Sequence, residues 1–315
     1  MAHEIVPAAE EILDTEFPVL DQGFVRLVDY LGGDQRIVQS ARVSYGAGTK
    51  TYRQDKGLIN YLLRNEHTSP FEQVVFTFHT KMPIFVARQW VRHRTARLNE
   101  ISGRYSVMKD EFYVPQGAAI APQSTDNKQG RSGAAFPAEI RQGIQAELAT
   151  QQQSAYQGYE ALLNRDVARE LARINLPLSM YTEWYWQIDL HNLFHFLKLR
   201  MDAHAQYEIR AYAEAMFEVA QRVCPIATEA FDEHVRGGVR FSRSEFAVVQ
   251  EVLLGAGGAN SAGAEGGAQG GTQGGASSPG TQSLEEKIRA AGQRHGVEGR
   301  ALDRLIDKVL ADRSG

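Results

Sequence analysis

A glycine-rich stretch at 255–280 limits how much of this chain of 315 residues can form one folded unit. Eleven of its twenty-six residues are glycine, and most of the others are alanine, serine, glutamine or threonine. Such a segment cannot bury enough apolar surface to offset the entropy lost on ordering. The sequence therefore predicts three parts: a main domain at 1–254 that carries all the candidate chemistry, a flexible linker at 255–282 and a tail at 283–315.

The tail shows two helical signals. Ser283 and Glu286 have the spacing of a capping box, and apolar residues follow with helical periodicity at 288, 302, 305, 306, 309 and 310. We expect two short amphipathic helices. Some 30 residues are few for an independent core, so the tail is either a weakly folded appendage or a docking element for a partner.

The main domain mixes strand and helix patterns. Val74, Phe76 and Phe78 alternate with other residues in 73–81, and the aromatic run 180–188 is also typical of a strand. Pro83 suits the first turn of a helix that continues to 91. Further helices are predicted at 35–44, 57–65 and 138–163 and in two apolar-faced segments after 190. Without βαβ alternation, the expected class is α+β, a small antiparallel sheet with a helix-rich remainder.

Composition excludes some classes of protein. The net charge of −4 and the pI near 6.2 argue against a protein that coats nucleic acid or an acidic membrane, so an anionic ligand needs a local basic cluster. Cys224 is the only cysteine, which excludes an intrachain disulfide and fits a reducing cytoplasm. The sequence shows neither a leader pattern at its start nor an apolar run of about 18 residues, so we expect a soluble, cytoplasmic protein without membrane contact.

A basic cluster of this kind lies at 88–104, where five of seventeen residues are arginine. Guanidinium groups bind phosphate through paired, charge-assisted hydrogen bonds. The alternative is a solvated basic face with salt bridges to Glu100 and Asp110. Apolar neighbours and nearby hydrogen-bonding side chains such as Asn99 and Tyr105 favour a ligand-binding wall. The five arginines are Arg88, Arg92, Arg94, Arg97 and Arg104.

Within this cluster, Arg92-His93-Arg94, seven residues and then Ser102 resemble the RHR-x7-S signature of flavin-dependent thymidylate synthases. Three further segments resemble that family in the same order: SARVS at 40–44, HTSPFE at 67–72 and LRMDAHAQYEI at 199–209. The resemblance covers about 17–234 and does not reach the linker or the tail.

The resemblance implies an α+β fold like that of the thymidylate synthase complementing proteins, and a methyltransferase that makes dTMP from dUMP. FAD would carry hydride, 5,10-methylenetetrahydrofolate would donate the carbon and NADPH would be the reductant, in a homotetramer whose subunits share active sites. The implied FAD contacts are Ser69, Arg92, His93, Arg94, Glu100, Asp189, Leu190, His191 and His195. Asp189, His191 and His195 align with family positions that are often asparagine, which puts the isoalloxazine contacts in question.

The same resemblance implies where dUMP binds. Arg200 matches an arginine placed against the uracil, where a fixed positive charge would stabilise negative charge developing on the ring, and it is our first catalytic candidate. Arg97 replaces a small polar residue of the family and either strengthens phosphate binding or faces solvent. The other implied substrate contacts are Gln89, Trp90, Val91, Arg92, Glu100, Ile101, Ser102, Gly103, Arg104 and Arg173.

Several alternatives remain open. His191, His195 and His204 would suit a metal, but without an H-E-x-x-H pattern we expect no metal site. Ser102 has no evident activating base, so we interpret it as a phosphate contact rather than a nucleophile. No GxGxxG follows a strand, so NADPH would bind at the flavin pocket. The rivals from other classes are a non-catalytic nucleotide- or RNA-binding protein and a metal-dependent nucleotide hydrolase.

Cys224 and the aromatic run at 180–188 are interpreted as structural residues rather than as parts of the site. Cys224 precedes Pro225 in an apolar context, with no basic neighbour to lower its pKa, so we expect a buried structural cysteine. The aromatic run that includes Trp184 and Trp186 is more typical of a core than of a stacking surface for a flavin or folate ring.

Overall fold

The computed structural model describes residues 4–43, 52–125, 129–258 and 283–310. It divides into two compact units, at 1–237 and 238–315. Within these ranges, the strands of the first unit are β1 (Glu16–Val19), β2 (Gly23–Leu31), β3 (Val75–Pro83), β4 (Arg97–Glu100) and β5 (Tyr181–Asp189). Its helices are α1 (Pro7–Glu10), α2 (Asp34–Arg42), α3 (Tyr52–Arg64), α4 (Ile84–Trp90), α5 (Ala138–Leu163), α6 (Arg169–Ala172), α7 (Leu190–Arg200), α8 (Tyr207–Val223) and α9 (Pro225–Phe231).

The strands form one antiparallel sheet in the order β1-β2-β3-β5-β4. Phe78 of β3 lies opposite Trp186 of β5, and both side chains are buried on the face that helices cover. The alternation of apolar residues in β3 and β5 places those side chains on a single face, because successive residues of a strand point to opposite sides. The predicted α+β class with a small antiparallel sheet is confirmed.

Trp90, at the end of α4, lies at the centre of this core. Its ring packs against Trp184, Trp186, Phe196 and Tyr212, at centroid separations of 5.0–5.8 Å. Truncation of such a buried aromatic side chain costs about 3–5 kcal/mol. The core therefore holds the end of α4, and the basic segment that follows it, against the sheet and α7.

Gly23, at the start of β2, allows α8 to approach the sheet closely. The hydroxyl of Tyr212 in α8 donates a hydrogen bond of 2.7 Å to the Lys81 carbonyl, and a β-carbon on Gly23 would lie 2.0 Å from that hydroxyl oxygen. Any larger residue would displace α8 from its place on the sheet. A close approach of this kind requires glycine.

In its described residues, the second unit has the helices α10 (Arg243–Gly258), α11 (Leu284–Arg294) and α12 (Gly299–Leu310). Val248 of α10 is buried with Ile288 of α11 and Leu305 of α12 in a core of their own. The capping box at Ser283 and Glu286 is present. The sequence prediction ended the main domain at 254, but α10 supplies apolar residues to the tail's core, so the structure places the division before that helix. Of the predicted linker, residues 259–282 lie outside the described residues, as does Ser44 at the end of the predicted helix 35–44.

Candidate functional site

Arg200 and His93 meet across 107 residues of sequence. Arg200 is the last residue of α7, where a cation is favourable beside the negative end of the helix dipole. Its Nε donates a hydrogen bond of 3.0 Å to Nε2 of His93, which lies in the turn after α4. Its Nη2 donates to the Gln89 carbonyl at 3.1 Å. The ends of α4 and α7 therefore fix the orientation of this guanidinium.

The surroundings of His93 keep its imidazole neutral. The ring meets Phe196 edge-on, with centroids 4.9 Å apart, and His195 with centroids 5.8 Å apart. Burial, followed by the charges of Arg200 and His195, lowers the pKa of His93 to about 4. A neutral ring whose Nε2 accepts from Arg200 carries its proton on Nδ1. His93 is therefore an acceptor for Arg200 at neutral pH.

Arg200 is half-buried, and its charge is crowded. Burial lowers the pKa of Arg200, and the nearby Arg92 lowers it further. An arginine stays cationic at neutral pH in spite of such a shift. Two guanidinium groups held near each other favour an anion or an electron-rich ring between them.

The remaining arginines decide between a ligand-binding wall and a solvated basic face. In the described part of the chain, no acid lies within 4.0 Å of the exposed Arg88, Arg92 or Arg94, and the expected salt bridges to Glu100 and Asp110 do not form. Glu100 instead accepts a hydrogen bond of 2.6 Å from the Thr182 hydroxyl. In a protein of net negative charge, arginines without an acidic partner in the described residues favour the interpretation as a ligand-binding wall.

Gly103 and Arg173 form a second group of predicted residues. Gly103 is buried against Arg173, and a β-carbon on this glycine would lie 3.1 Å from Cδ and 3.2 Å from Nη1 of that arginine. Helix α5 positions the segment, because the hydroxyls of Tyr156 and Tyr159 bond the backbone of Met108 at 2.9 and 3.1 Å. The backbone near Gly103 thus lies directly beside a guanidinium.

Ser102 and Arg104 stand beside this group. The Ser102 hydroxyl accepts a hydrogen bond of 3.3 Å from the Arg104 amide, and no histidine or carboxylate of the described chain bonds it. Arg104 forms an exposed ion pair with Glu170 at 3.1 Å, and Arg97 donates to Gln187 at 3.2 Å. Without an activating base in contact, Ser102 is suited to hold a ligand rather than to attack one.

Several predicted residues have other structural roles. The side chains of Trp90 and Leu190 are fully buried in the core, and Val91 packs against that core, so these three can reach a ligand mainly through their backbones. Asp189 caps α7, because its carboxylate accepts from the Asn192 backbone amide at 2.9 Å and from the Asn192 side chain at 2.7 Å. The Ile101 amide donates to the Glu183 carbonyl at 2.9 Å, which extends the sheet pairing of β4.

The predicted residues do not all meet within one chain. In the described residues, no hydrogen bond, ion pair or ring contact joins the group at His93 and Arg200 to the group at Gly103 and Arg173. By the same criteria, Ser69 is exposed and His191 is partly buried without a contact to either group. The direct contacts of the described residues therefore join the predicted residues into two groups rather than one.

Sequence reasoning missed two residues of the group at His93 and Arg200. Gln206 accepts a hydrogen bond of 2.5 Å from the Gln89 side chain, and Phe196 packs against His93. Gln206 lies in the segment 199–209 that carries the resemblance, and this was the available signal. Phe196 reads as an ordinary core residue of α7, and its place beside His93 requires the tertiary fold.

The structure also describes the surroundings of the histidines and of the cysteine. Within the described ranges, no three His, Cys, Asp or Glu side chains gather closely enough to bind a metal ion. Cys224 is fully buried, and burial raises the pKa of its thiol well above the usual value, which makes it a poor nucleophile. Across the described segments, no helix combines the length and apolar character that a bilayer span requires.

The fold and the site define an α+β protein in which the half-buried Arg200 donates to a neutral His93, with Arg92 near Arg200 and exposed arginines at 88, 92 and 94. The chain belongs to the thymidylate synthase complementing protein family, whose model matches residues 26–226. The resemblance found in the sequence is thus confirmed.

Individual relatives agree with the family. The chain is 66% identical over 243 residues to a flavin-dependent thymidylate synthase of Treponema denticola, covering 77% of this chain and 91% of the relative. It is 57% identical over 236 residues to a protein of the same name from Thermus thermophilus, covering 75% and 85%. Its structure is similar to that of a UMP/dUMP methylase, PolB from Streptomyces cacaoi bound with 5-Br dUMP, with a TM-score of 0.64 and 33% identity over 70% of this chain and 99% of that one.

Proposed function

We propose that this protein is a flavin-dependent thymidylate synthase that converts dUMP to dTMP. The observation that carries the proposal is the contact between Arg200 and His93, which places two of the family's motif segments side by side. High identity to relatives of that name over most of the chain supports the reaction.

His93, the two arginines beside it in the sequence and His195 fit FAD. Arg92 and Arg94 are exposed and have no acid within 4.0 Å in the described part of the chain, so their guanidinium groups suit a diphosphate. The rings of His93 and His195 provide flat, polar surfaces for an isoalloxazine. Ser69, Glu100, His191 and the α7 start at Asp189 and Leu190 would complete the cofactor contacts. Bound flavin, once reduced, supplies hydride, while the protein supplies orientation and charge.

Arg200 would act on the pyrimidine of dUMP. Its guanidinium, held by His93 and by the Gln89 carbonyl, is a fixed cation that needs little reorganisation during reaction. Ser102, Gly103, Arg104 and Arg173 would bind the phosphate through backbone amides and guanidinium groups. Gln89, Arg92 and Ile101 would complete the nucleotide contacts.

The remaining proposals concern the co-substrates and the assembly. NADPH would reduce the flavin at the flavin pocket itself, and 5,10-methylenetetrahydrofolate would donate the carbon. We infer a homotetramer with shared active sites from membership of the family alone. The buried, free Cys224 supports a cytoplasmic enzyme.

The decisive experiment incubates the purified protein with NADPH, methylenetetrahydrofolate and dUMP and measures dTMP. We expect a yellow protein that forms dTMP only when all three are present. A colourless protein that binds no FAD and forms no dTMP would contradict the proposal and favour a non-catalytic nucleotide-binding protein. Chelator-sensitive hydrolysis of nucleotides without NADPH would favour the metal-dependent hydrolase.

A second substrate belongs in the same assay. The structural relative from Streptomyces cacaoi is described as a methylase of UMP as well as dUMP. UMP is therefore tested beside dUMP under identical conditions. We expect preference for dUMP, because relatives that are 57%, 61% and 66% identical to this chain over the aligned residues are named flavin-dependent thymidylate synthases.

A further inference from the structure

A polar cavity of about 700 Å³ opens beside the candidate site. The polypeptide before α5 forms one side of the cavity, and the segment that leads into α8 forms the other. Gln206 lines the cavity and also bonds Gln89, whose carbonyl bonds Arg200. Two hydrogen bonds, through Gln206 and Gln89, therefore connect the lining of the cavity to Arg200.

Two arginines line this cavity, and they differ in how firmly an acid holds them. In the described part of the chain, its lining includes Arg131 and Arg210 but no aspartate or glutamate. Arg131 is already neutralised, since Nη2 lies 2.7 Å from both carboxylate oxygens of the buried Glu208. Arg210 is held more loosely: its Nε lies 3.7 Å from Glu214, too far for a hydrogen bond, and its Nη1 donates to the Ala203 carbonyl at 3.3 Å. Arg210 thus keeps hydrogen-bonding capacity for an anion.

An aromatic surface lies beside Arg131 in this cavity. The Tyr207 ring is 42% exposed, and the guanidinium carbon of Arg131 lies 5.9 Å from its centroid. A ring held by a cation on one side offers a flat surface to a second aromatic group. The cavity therefore suits a ligand in which an aromatic group is followed by carboxylates, and its volume lies in the range of pockets that hold small molecules.

We propose that this cavity binds the p-aminobenzoyl-glutamate tail of the folate co-substrate. The inference rests on the proposed function and adds a subsite to it. The aromatic part would lie on Tyr207, and the glutamate carboxylates would pair with Arg210 in the bidentate geometry that guanidinium groups favour.

The test measures the KM for methylenetetrahydrofolate with one glutamate and with five. Arg210→Gln is expected to raise the KM for the pentaglutamate about fivefold and that for the monoglutamate less, with kcat and flavin content unchanged. Tyr207→Ala should raise both KM values, and Arg210→Lys should restore part of the loss. The matched control is Arg222→Gln, which removes an exposed charge from the same helix and should change neither value.

Two results would overturn the subsite. One is an Arg210→Gln enzyme, folded by circular dichroism, whose KM values equal those of the wild type. The other is a change confined to the KM for NADPH, which would assign the cavity to the reductant. In both cases the wild-type enzyme still forms dTMP, whereas failure of the proposed function removes dTMP formation from the wild type itself.

Discussion

Nε of Arg200 donates its hydrogen bond to a histidine that burial keeps neutral, so His93 orients the guanidinium without neutralising its charge. A carboxylate in the same place would form an ion pair and reduce the field at the substrate. A neutral acceptor fixes the direction of Arg200 and leaves its positive charge for the ligand. Phe196, behind the imidazole, holds the ring in place.

Arg200→Ala should retain FAD but lose most dTMP formation, with kcat reduced about 100-fold or more, because loss of one preorganised group that stabilises developing charge has that effect. Flavin absorbance and dTMP formation are measured on the same preparation. Lys198→Ala, two residues earlier in α7, is the control and should change kcat little. Unchanged turnover in Arg200→Ala would exclude the proposed role.

The titration of His93 gives a pH test. Its pKa of about 4 lies below the usual value, so the folded protein binds fewer protons than the unfolded chain between pH 4 and 6.5. The contribution of His93 to stability is therefore complete above about pH 6.5 and is lost as the pH falls towards 4. NMR of labelled histidine should show a neutral ring at pH 6.

The same spectra test the cause of the shift. Arg200→Ala should move the His93 midpoint upwards, since it removes the nearest cation. A midpoint near 6.5 in the wild type, or one that does not respond to the substitution, would contradict the electrostatic account of this pair.

Much of the fold was predictable because it follows periodicity. The long helix was predicted at 138–163 and is found at Ala138–Leu163, and the aromatic strand predicted at 180–188 is found at Tyr181–Asp189. Of the strands that were not predicted, β2 alternates buried and partly exposed residues, whereas β4 has the weakest pattern. β4 is a four-residue strand without a buried side chain, and pairing with β5 rather than local sequence makes it a strand.

The site was predictable as a set of motifs but not as a geometry. The sequence placed Arg92, His93 and Arg94 together, since they are adjacent. The contact from His93 to Arg200, by contrast, depends on how α4 and α7 pack around Trp90. The core positions of Trp90 and Leu190 also follow from tertiary packing, which a motif match cannot show.

Gly103→Ala tests the second group of residues. The added methyl would press on Arg173, at 3.1 Å from its Cδ, and on the Met108 sulfur at 2.9 Å. We expect Arg173 to move and the KM for dUMP to rise about tenfold, because small displacements of positioning groups are costly. Gly143→Ala, in α5 with open space at its β-carbon, is the matched control. If the KM for dUMP is the same in both variants, the proposal that Gly103 and Arg173 bind the nucleotide is wrong.

Mixing two inactive variants tests whether subunits share active sites. Arg200→Ala and Arg173→Ala alter different groups. In the described residues of one chain, no hydrogen bond, ion pair or ring contact joins these two groups. If each site combines groups from different subunits, mixed oligomers contain some sites with both arginines intact, and activity returns after subunit exchange. Refolding the two variants together and measuring dTMP formation checks this. If oligomers that are shown to contain both variants form no dTMP, each chain supplies its own complete site.

Truncation tests the role of the second unit. All the predicted site residues lie before Gly237, so a chain that ends there should keep flavin and turnover close to those of the full chain. A chain that ends at Leu254 keeps most of α10 but loses the partners of Val248, which is fully buried against α11 and α12. The exposed apolar face should lower its solubility relative to the shorter chain. Turnover and soluble yield are measured for both. A chain ending at Gly237 that binds flavin but forms no dTMP would show that the second unit contributes to the reaction.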